Sequence, residues 1–154
     1  MDVQGCLGCD LLAGRSDLPG GEIHETADWV VNHCVGPLNV GTLVVAPRRH
    51  VTAVAALSDS EVAELGPLLR RTSLVIEKLC SPEQVYVCVW SHGEGERKHL
   101  HFVVQPVTSE VVARFDGARS EQLQAAMLDA GVQPDRREVE RFAERARGEF
   151  SAGP

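Results

Sequence analysis

Two histidines separated by a single residue, His99-Leu100-His101, form the most chemically suggestive pattern in this 154-residue chain. Imidazole titrates near neutral pH, so it can ligate a metal, take a proton or attack as a nucleophile without a large perturbation. On an extended strand alternate side chains share a face. His99 and His101 would then lie together about 6.6 Å apart, at two rises of ~3.3 Å, with Leu100 and Phe102 opposite. Val103 and Gln105 continue the histidine face. Two histidines on a sheet can equally be satisfied polar residues, and spacing alone does not separate the two cases.

Cys6-x-x-Cys9 is the second local signal, because a turn of that length lets both sulfurs reach one ion at ~2.3 Å. A closed tetrahedral site needs two further ligands. His50, which follows an apolar run, and His99, which opens another, are the histidines on well-fixed backbone. A redox dithiol would instead want a strand before Cys6 and a helix opening at Cys9. Only five residues precede Cys6. Cys34, Cys80 and Cys88 read as small buried apolar groups, and an odd set of five cysteines argues against a disulfide framework. His99 and His101 could also hold a catalytic ion jointly, as in a metal-dependent hydrolase.

The elements that must position these residues follow from periodicity and breakers. CLGCDLLAG, from Cys6 to Gly14, fits about one helical turn. Strand-like pieces occur at Ile23–Thr26 and Trp29–Cys34, which suggest a hairpin, and at Gly41–Ala46, ended by Pro47. Ser58-x-x-Glu61 has capping-box spacing and opens a helix to about Cys80, within which Pro67 should kink or split the element. Val85–Ser91 and His99–Gln105 read as antiparallel strands flanking the polar loop His92–Lys98. Helices are expected at Ser109–Phe115, Ser120–Ala130 and Asp135–Phe150, the last with a capping signal from Asp135 to Glu138. The organisation is a strand-rich domain over residues 1–108 with a helical extension over 109–154 packed on it.

Composition bounds the function. With 44% hydrophobic and 24% charged residues the chain reads as one globular domain, and no apolar run approaches the ~18 residues of a membrane span. The N-terminus opens on an acid and lacks the order of a secretory signal, so a cytoplasmic location is expected. A net charge of −7 excludes generic nucleic-acid binding, which depends on Lys and Arg neutralising phosphates.

Three segments in order, CLGCDLLAG, PLNVGTLVVAPRRH and HLHFVVQP, make the chain resemble the histidine-triad superfamily, which includes nucleotidyl hydrolases and transferases. The resemblance runs from Cys6 through Pro106. It implies an α+β fold, the HIT-like fold, with a mainly antiparallel sheet and packed helices, often paired into a homodimer. It further implies a structural Zn2+ held by Cys6, Cys9, His50 and His99, as in the zinc-bearing branch. The nucleophile would be His101, which forms a covalent intermediate with a small-molecule nucleotide or nucleotide conjugate. Phosphate donors would come from Gln105, Ser91, His92 and the amides around Gly93 and Gly95. Arg97 and Lys98 read as solvated loop charges. Val103 stands where the superfamily's third histidine is usual, and Cys34 stands where an acid for the ribose hydroxyls is common.

Overall fold

The computed structural model describes residues 2–90 and 97–153. Five strands form one antiparallel sheet in the order β1-β2-β3-β5-β4: β1 Glu22–Glu25, β2 Trp29–His33, β3 Leu43–Pro47, β4 Gln84–Val89 and β5 Phe102–Val107. Around it lie α1 (Leu7–Leu12), α2 (Asp59–Cys80), α3 (Ser109–Arg114), α4 (Ser120–Ala130) and α5 (Arg136–Ser151). This is the expected α+β architecture with a mainly antiparallel sheet and packed helices.

Strand alternation divides the sheet into two faces with different tasks. Trp29 and Val31, Leu43 and Val45, and Phe102 and Val104 join one cluster with Leu68, Val75 and Ile76 of α2 and Phe142, Ala143, Ala146 and Phe150 of α5. Residues one step out of phase, Val103 and Val107, pack on the other face with Val111, Val112, Leu123 and Met127 from α3 and α4. The C-terminal helices therefore cover both faces: α5 closes the first and α3 with α4 the second.

α2 begins as the Ser58 to Glu61 spacing dictates. The Ser58 hydroxyl accepts from the Glu61 amide, and the Glu61 carboxylate accepts from the Ser58 amide at 2.6 Å. Glu61 is itself buried, and the forked guanidinium of Arg49 neutralises it at 3.1 and 2.8 Å. Of the two outcomes expected at Pro67, a kink or a split, the split does not occur: Asp59–Cys80 is one element of 22 residues. Leu68, Thr72, Val75 and Ile76 bury a continuous face just beyond the proline, and that packing outweighs the one lost backbone donor. The helix stops at Ser81, which adopts a left-handed conformation at φ 46°.

Two strand boundaries also differ from expectation. β5 starts at Phe102, three residues after His99, so the histidine pair lies in the extended segment leading into the strand. Its backbone is fixed by a bond of 2.7 Å from the Leu100 amide to the Val51 carbonyl. Pro106 lies inside β5 and does not end it. Pairing with β3 reaches only as far as Val104, so Pro106 is flanked by β4 alone and interrupts no shared ladder. Pro47 similarly forms the last pair of β3, opposite Trp29.

His33 is 2% exposed at the end of β2. Its Nδ1 donates to the Cys34 carbonyl at 2.9 Å, and its Nε2 accepts from the Gly41 amide at 2.9 Å. Gly41 has φ 94°, and a Cβ there would lie 2.9 Å from Cys80 Sγ, so no other residue fits this approach. With one nitrogen accepting, His33 must be neutral, and burial holds its pKa below the ordinary 6.5. The unfolded chain takes up that proton first, so stability is constant above about pH 6.5 and declines as pH falls from there toward the depressed folded value. Urea unfolding at pH 7.5 and 5.5 should show a lower midpoint at 5.5, and His33→Leu should remove part of that difference.

Candidate metal centre and active-site cavity

Residues far apart in sequence are drawn together by one backbone bond. The Leu100 amide to Val51 carbonyl contact sets His99 beside His50, and the two rings meet edge to face with centroids 5.4 Å apart. α1 lies across them. Cys6 is the extended residue that begins this helix and Cys9 sits one turn in, so both sulfurs point to the same side. Gly8, between them, lies against His99: a Cβ at Gly8 would be 2.5 Å from the His99 ring carbon Cγ.

The donor atoms of Cys6, Cys9, His50 and His99 all lie within 4.8 Å of one another. Cys6 Sγ is 3.5 Å from His99 Nδ1, Cys9 Sγ is 3.6 Å from the same nitrogen, and Cys9 Sγ is 3.3 Å from His50 Nδ1. Bonds of ~2.3 Å to sulfur and ~2.0 Å to nitrogen at tetrahedral angles separate the two donors by about 3.5 Å, so the spacing is that of ligands around one ion. The tautomer agrees. His99 Nε2 contacts the Pro47 carbonyl at 2.8 Å and must donate to it, which leaves the Nδ1 lone pair directed at the sulfurs. Burial holds His99 below the ordinary histidine pKa and pushes the Cys9 thiol up. The residues present therefore fit a metal ion, and the sequence-predicted ligand set comes together.

His99 has both nitrogens committed, one to the sulfur cluster and one to Pro47. It has none left to share an ion with His101, so the joint catalytic ion considered from the His-x-His spacing does not fit this geometry.

Beside the cluster opens a cavity of about 500 Å³. Its floor is the second face of the sheet: Val30 and Asn32 of β2, Val44 and Ala46 of β3, and His101 and Val103 around the start of β5. α1 contributes Leu7, Leu11 and Leu12 as one wall. Trp90, together with Gln124 and Leu128 of α4, forms another. Arg97 and Lys98 also line this cavity, a closer placement than a solvated loop charge. His99 and His101 both line it, while Leu100 is buried in the opposite core, so the alternation expected of a strand holds in the segment before β5. His101 Nδ1 lies 2.9 Å from the His99 carbonyl and must donate to it. In the neutral ring, Nε2 is then the nitrogen with a free lone pair.

Gln105 is placed differently from the sequence expectation. It is fully buried and does not line the cavity. Its Nε2 donates to Asn39 Oδ1 at 2.8 Å and its Oε1 accepts from Gln124 Nε2 at 2.9 Å, so both ends of the amide are engaged and neither is free for a phosphate. Ser91, His92 and Gly93 lie outside the described residues. Trp90, Gln124 and Leu128 are cavity residues that sequence reasoning did not single out. The available signal was a tryptophan at a strand end, just before the glycine-bearing loop. Asn32 adds a buried Oδ1 with no partner among the described residues in an otherwise apolar floor.

No family model matches the chain. The adenosine 5'-monophosphoramidase hnt1 of Schizosaccharomyces pombe is 27% identical over 108 residues, which cover 68% of this chain and 76% of that protein. A histidine triad nucleotide-binding protein of Sulfolobus tokodaii, itself described as hypothetical, superposes with a TM-score of 0.70 at 14% identity, covering 96% of this chain and 93% of that one. A Zn-bound histidine triad family protein of Mycobacterium smegmatis superposes with a TM-score of 0.65 at 16% identity, covering 96% of each. The chain has the fold of these histidine-triad proteins. Within the superfamily's fold it carries Val103, 5% exposed, at the position two residues after His101.

Because ligand binding is coupled to folding, opening the cluster should cost stability. His99→Ala is expected to lower both bound metal and the thermal midpoint relative to the parent, read by elemental analysis and differential scanning calorimetry. Gly8→Ala should weaken metal retention in a chelator titration, since its new methyl must displace the His99 ring. Equal retention by Gly8→Ala and the parent would show that this close approach does not support the cluster.

Proposed function

We propose that the protein is a nucleotidyl hydrolase or transferase that cleaves a nucleotide phosphoester, phosphoanhydride or phosphoramidate through a covalent intermediate on His101. The observation that carries this reading is the orientation of the His101 ring. A backbone carbonyl holds the proton on Nδ1, so the Nε2 lone pair is available at a cavity that also holds Arg97 and Lys98. In the first step Nε2 attacks phosphorus, the bond to the leaving group breaks with its electron pair, and the Nδ1 proton stays on the ring. In the second, water or another acceptor displaces the imidazole and the nucleotide leaves. Arg97 and Lys98 are suited to balance the charge that moves onto the phosphoryl oxygens. The likeness to the Schizosaccharomyces pombe monophosphoramidase supports the nucleotide assignment.

The cluster of Cys6, Cys9, His50 and His99 is proposed to hold zinc. Two thiolates and two imidazoles at tetrahedral spacing suit that ion and leave no coordination position for substrate, so its role is structural. It would pin α1, and with it the Leu7, Leu11 and Leu12 wall, onto the sheet. The proposal includes a homodimer, for which β4 is an available edge: it terminates the sheet and leaves Val87 and Val89 exposed.

Val103 favours a second reading, a zinc-stabilised nucleotide-binding module with little turnover. An aliphatic side chain beside the nucleophile cannot hand a proton to the leaving group or hydrogen-bond the phosphate. The two readings part on one experiment. A panel of adenylated, guanylated and uridylated phosphoramidates and anhydrides is assayed with the purified protein and with His101→Ala. The hydrolase reading expects turnover in the parent, loss by at least about a thousandfold in His101→Ala with metal content unchanged, and a trapped histidine-linked nucleotide on rapid quench. Binding of these nucleotides without turnover of any of them would select the binding module instead.

A further inference from the structure

We propose that Trp90 is the platform on which the substrate's nucleobase stacks, and that Gln124 is a positioning residue that holds the indole in place through a hydrogen-bond relay of fixed polarity. This rests on the nucleotide reading above.

The chain has two tryptophans. Trp29 is fully buried, with its indole nitrogen donating to the Glu61 carbonyl at 3.0 Å, and behaves as a core residue. Trp90 is the opposite case: it lies just beyond β4, is 57% exposed, and lines the cavity that holds His101. A large aromatic left that open buries little of its own surface in the fold. Yet its ring is not left to rotate, because Nε1 donates to Gln124 Oε1 at 2.8 Å.

Gln124 is in turn held from behind. It is 4% exposed on α4, between the buried Leu123 and Met127. Its Nε2 donates to Gln105 Oε1 at 2.9 Å, Gln105 Nε2 donates to Asn39 Oδ1 at 2.8 Å, and Asn39 Nδ2 donates to the Pro106 carbonyl at 2.9 Å. The two ends fix the direction of every bond between them. An indole N–H can only donate and a proline carbonyl can only accept, so none of the three amides can flip without breaking the chain. Four consecutive side chains, three of them amides, thus run from the backbone of β5 to a single exposed ring.

An indole face fixed in advance at the edge of the cavity that holds His101, Arg97 and Lys98 suits a flat π-system, because base stacking on an aromatic side chain needs no particular hydrogen-bonding edge and no new ordering of the ring. Within a nucleotide, that partner is the base. The relay also gives the C-terminal segment a role in the site, since Gln124 and Leu128 both belong to α4. It accounts as well for a fully buried glutamine in the middle of β5.

The test uses AMP, and ribose 5-phosphate as the ligand without a base, against the full-length metal-loaded protein. Calorimetric Kd values and the fluorescence of Trp90 are read alongside KM and kcat for the adenylated substrate. AMP should quench the exposed tryptophan and ribose 5-phosphate should not. Trp90→Leu should weaken AMP on the order of tenfold and raise KM more than it lowers kcat, with Trp90→Phe recovering most of the loss. Gln124→Met should weaken AMP binding and make Trp90 more accessible to acrylamide in the ligand-free protein. Ribose 5-phosphate should bind all four proteins alike. AMP binding to Trp90→Leu as tightly as to the parent overturns the stacking role and leaves the nucleotide reading intact. A lower thermal midpoint for Gln124→Met with unchanged AMP affinity overturns its positioning role. Failure of the parent to bind AMP or any other nucleoside phosphate overturns both this inference and the nucleotide reading.

Discussion

A single backbone hydrogen bond, from the Leu100 amide to the Val51 carbonyl, is the constraint on which the site depends. It registers two distant segments so that His50 and His99 fall side by side. It also drives Leu100 into the core, where that side chain is 1% exposed. With Leu100 anchored on one side, its two neighbours must emerge on the other. One imidazole then meets the sulfurs of α1 and the next meets the cavity. Chain alternation thus places His99 and His101 on one face, and each ring is oriented by a carbonyl: Pro47 for the first and His99 itself for the second.

The sheet serves this arrangement by having two differently dressed faces. Trp29, Leu43, Phe102 and their partners on α2 and α5 supply the burial that holds the strands in register. The reverse face can then include a depression lined by Asn32 and His101, because stability is secured elsewhere. Polar groups on that face are tolerated where they are paired. The amides of Gln105, Gln124 and Asn39 satisfy one another in a low-dielectric interior, where a half-made network would be costly.

Much of this was legible in the residues, and the parts that were not share a cause. Helix α4 runs over Ser120–Ala130 as its pattern suggests, and the start of α2 follows from Ser58 and Glu61, because these signals are local. The grouping of Cys6, Cys9, His50 and His99 was legible through the superfamily resemblance, as its spacing alone left the partners open. The start of β5 was not legible: it is decided by where β3 and Val51 lie, which no local window contains. The same holds for Gln105. Its position on the histidine face was read correctly from parity, but its partner sits on a helix 19 residues away, and that partner determines whether the amide faces a ligand or a neighbour. Pro67 leaves α2 whole because a lost donor is a local cost and the face buried beyond it is a tertiary gain.

The two margins of the sheet are built unequally. At one margin β1 is only four residues long, its register is broken by a bulge between Glu22 and His24, and α5 packs against it. Glutamates at both ends further discourage an incoming chain from adding there. The opposite margin, β4, pairs without interruption over six residues. Self-association by strand addition is therefore polarised: growth at β1 is blocked, while two β4 strands can meet and satisfy each other. An assembly made this way closes after two copies and cannot extend into a fibre.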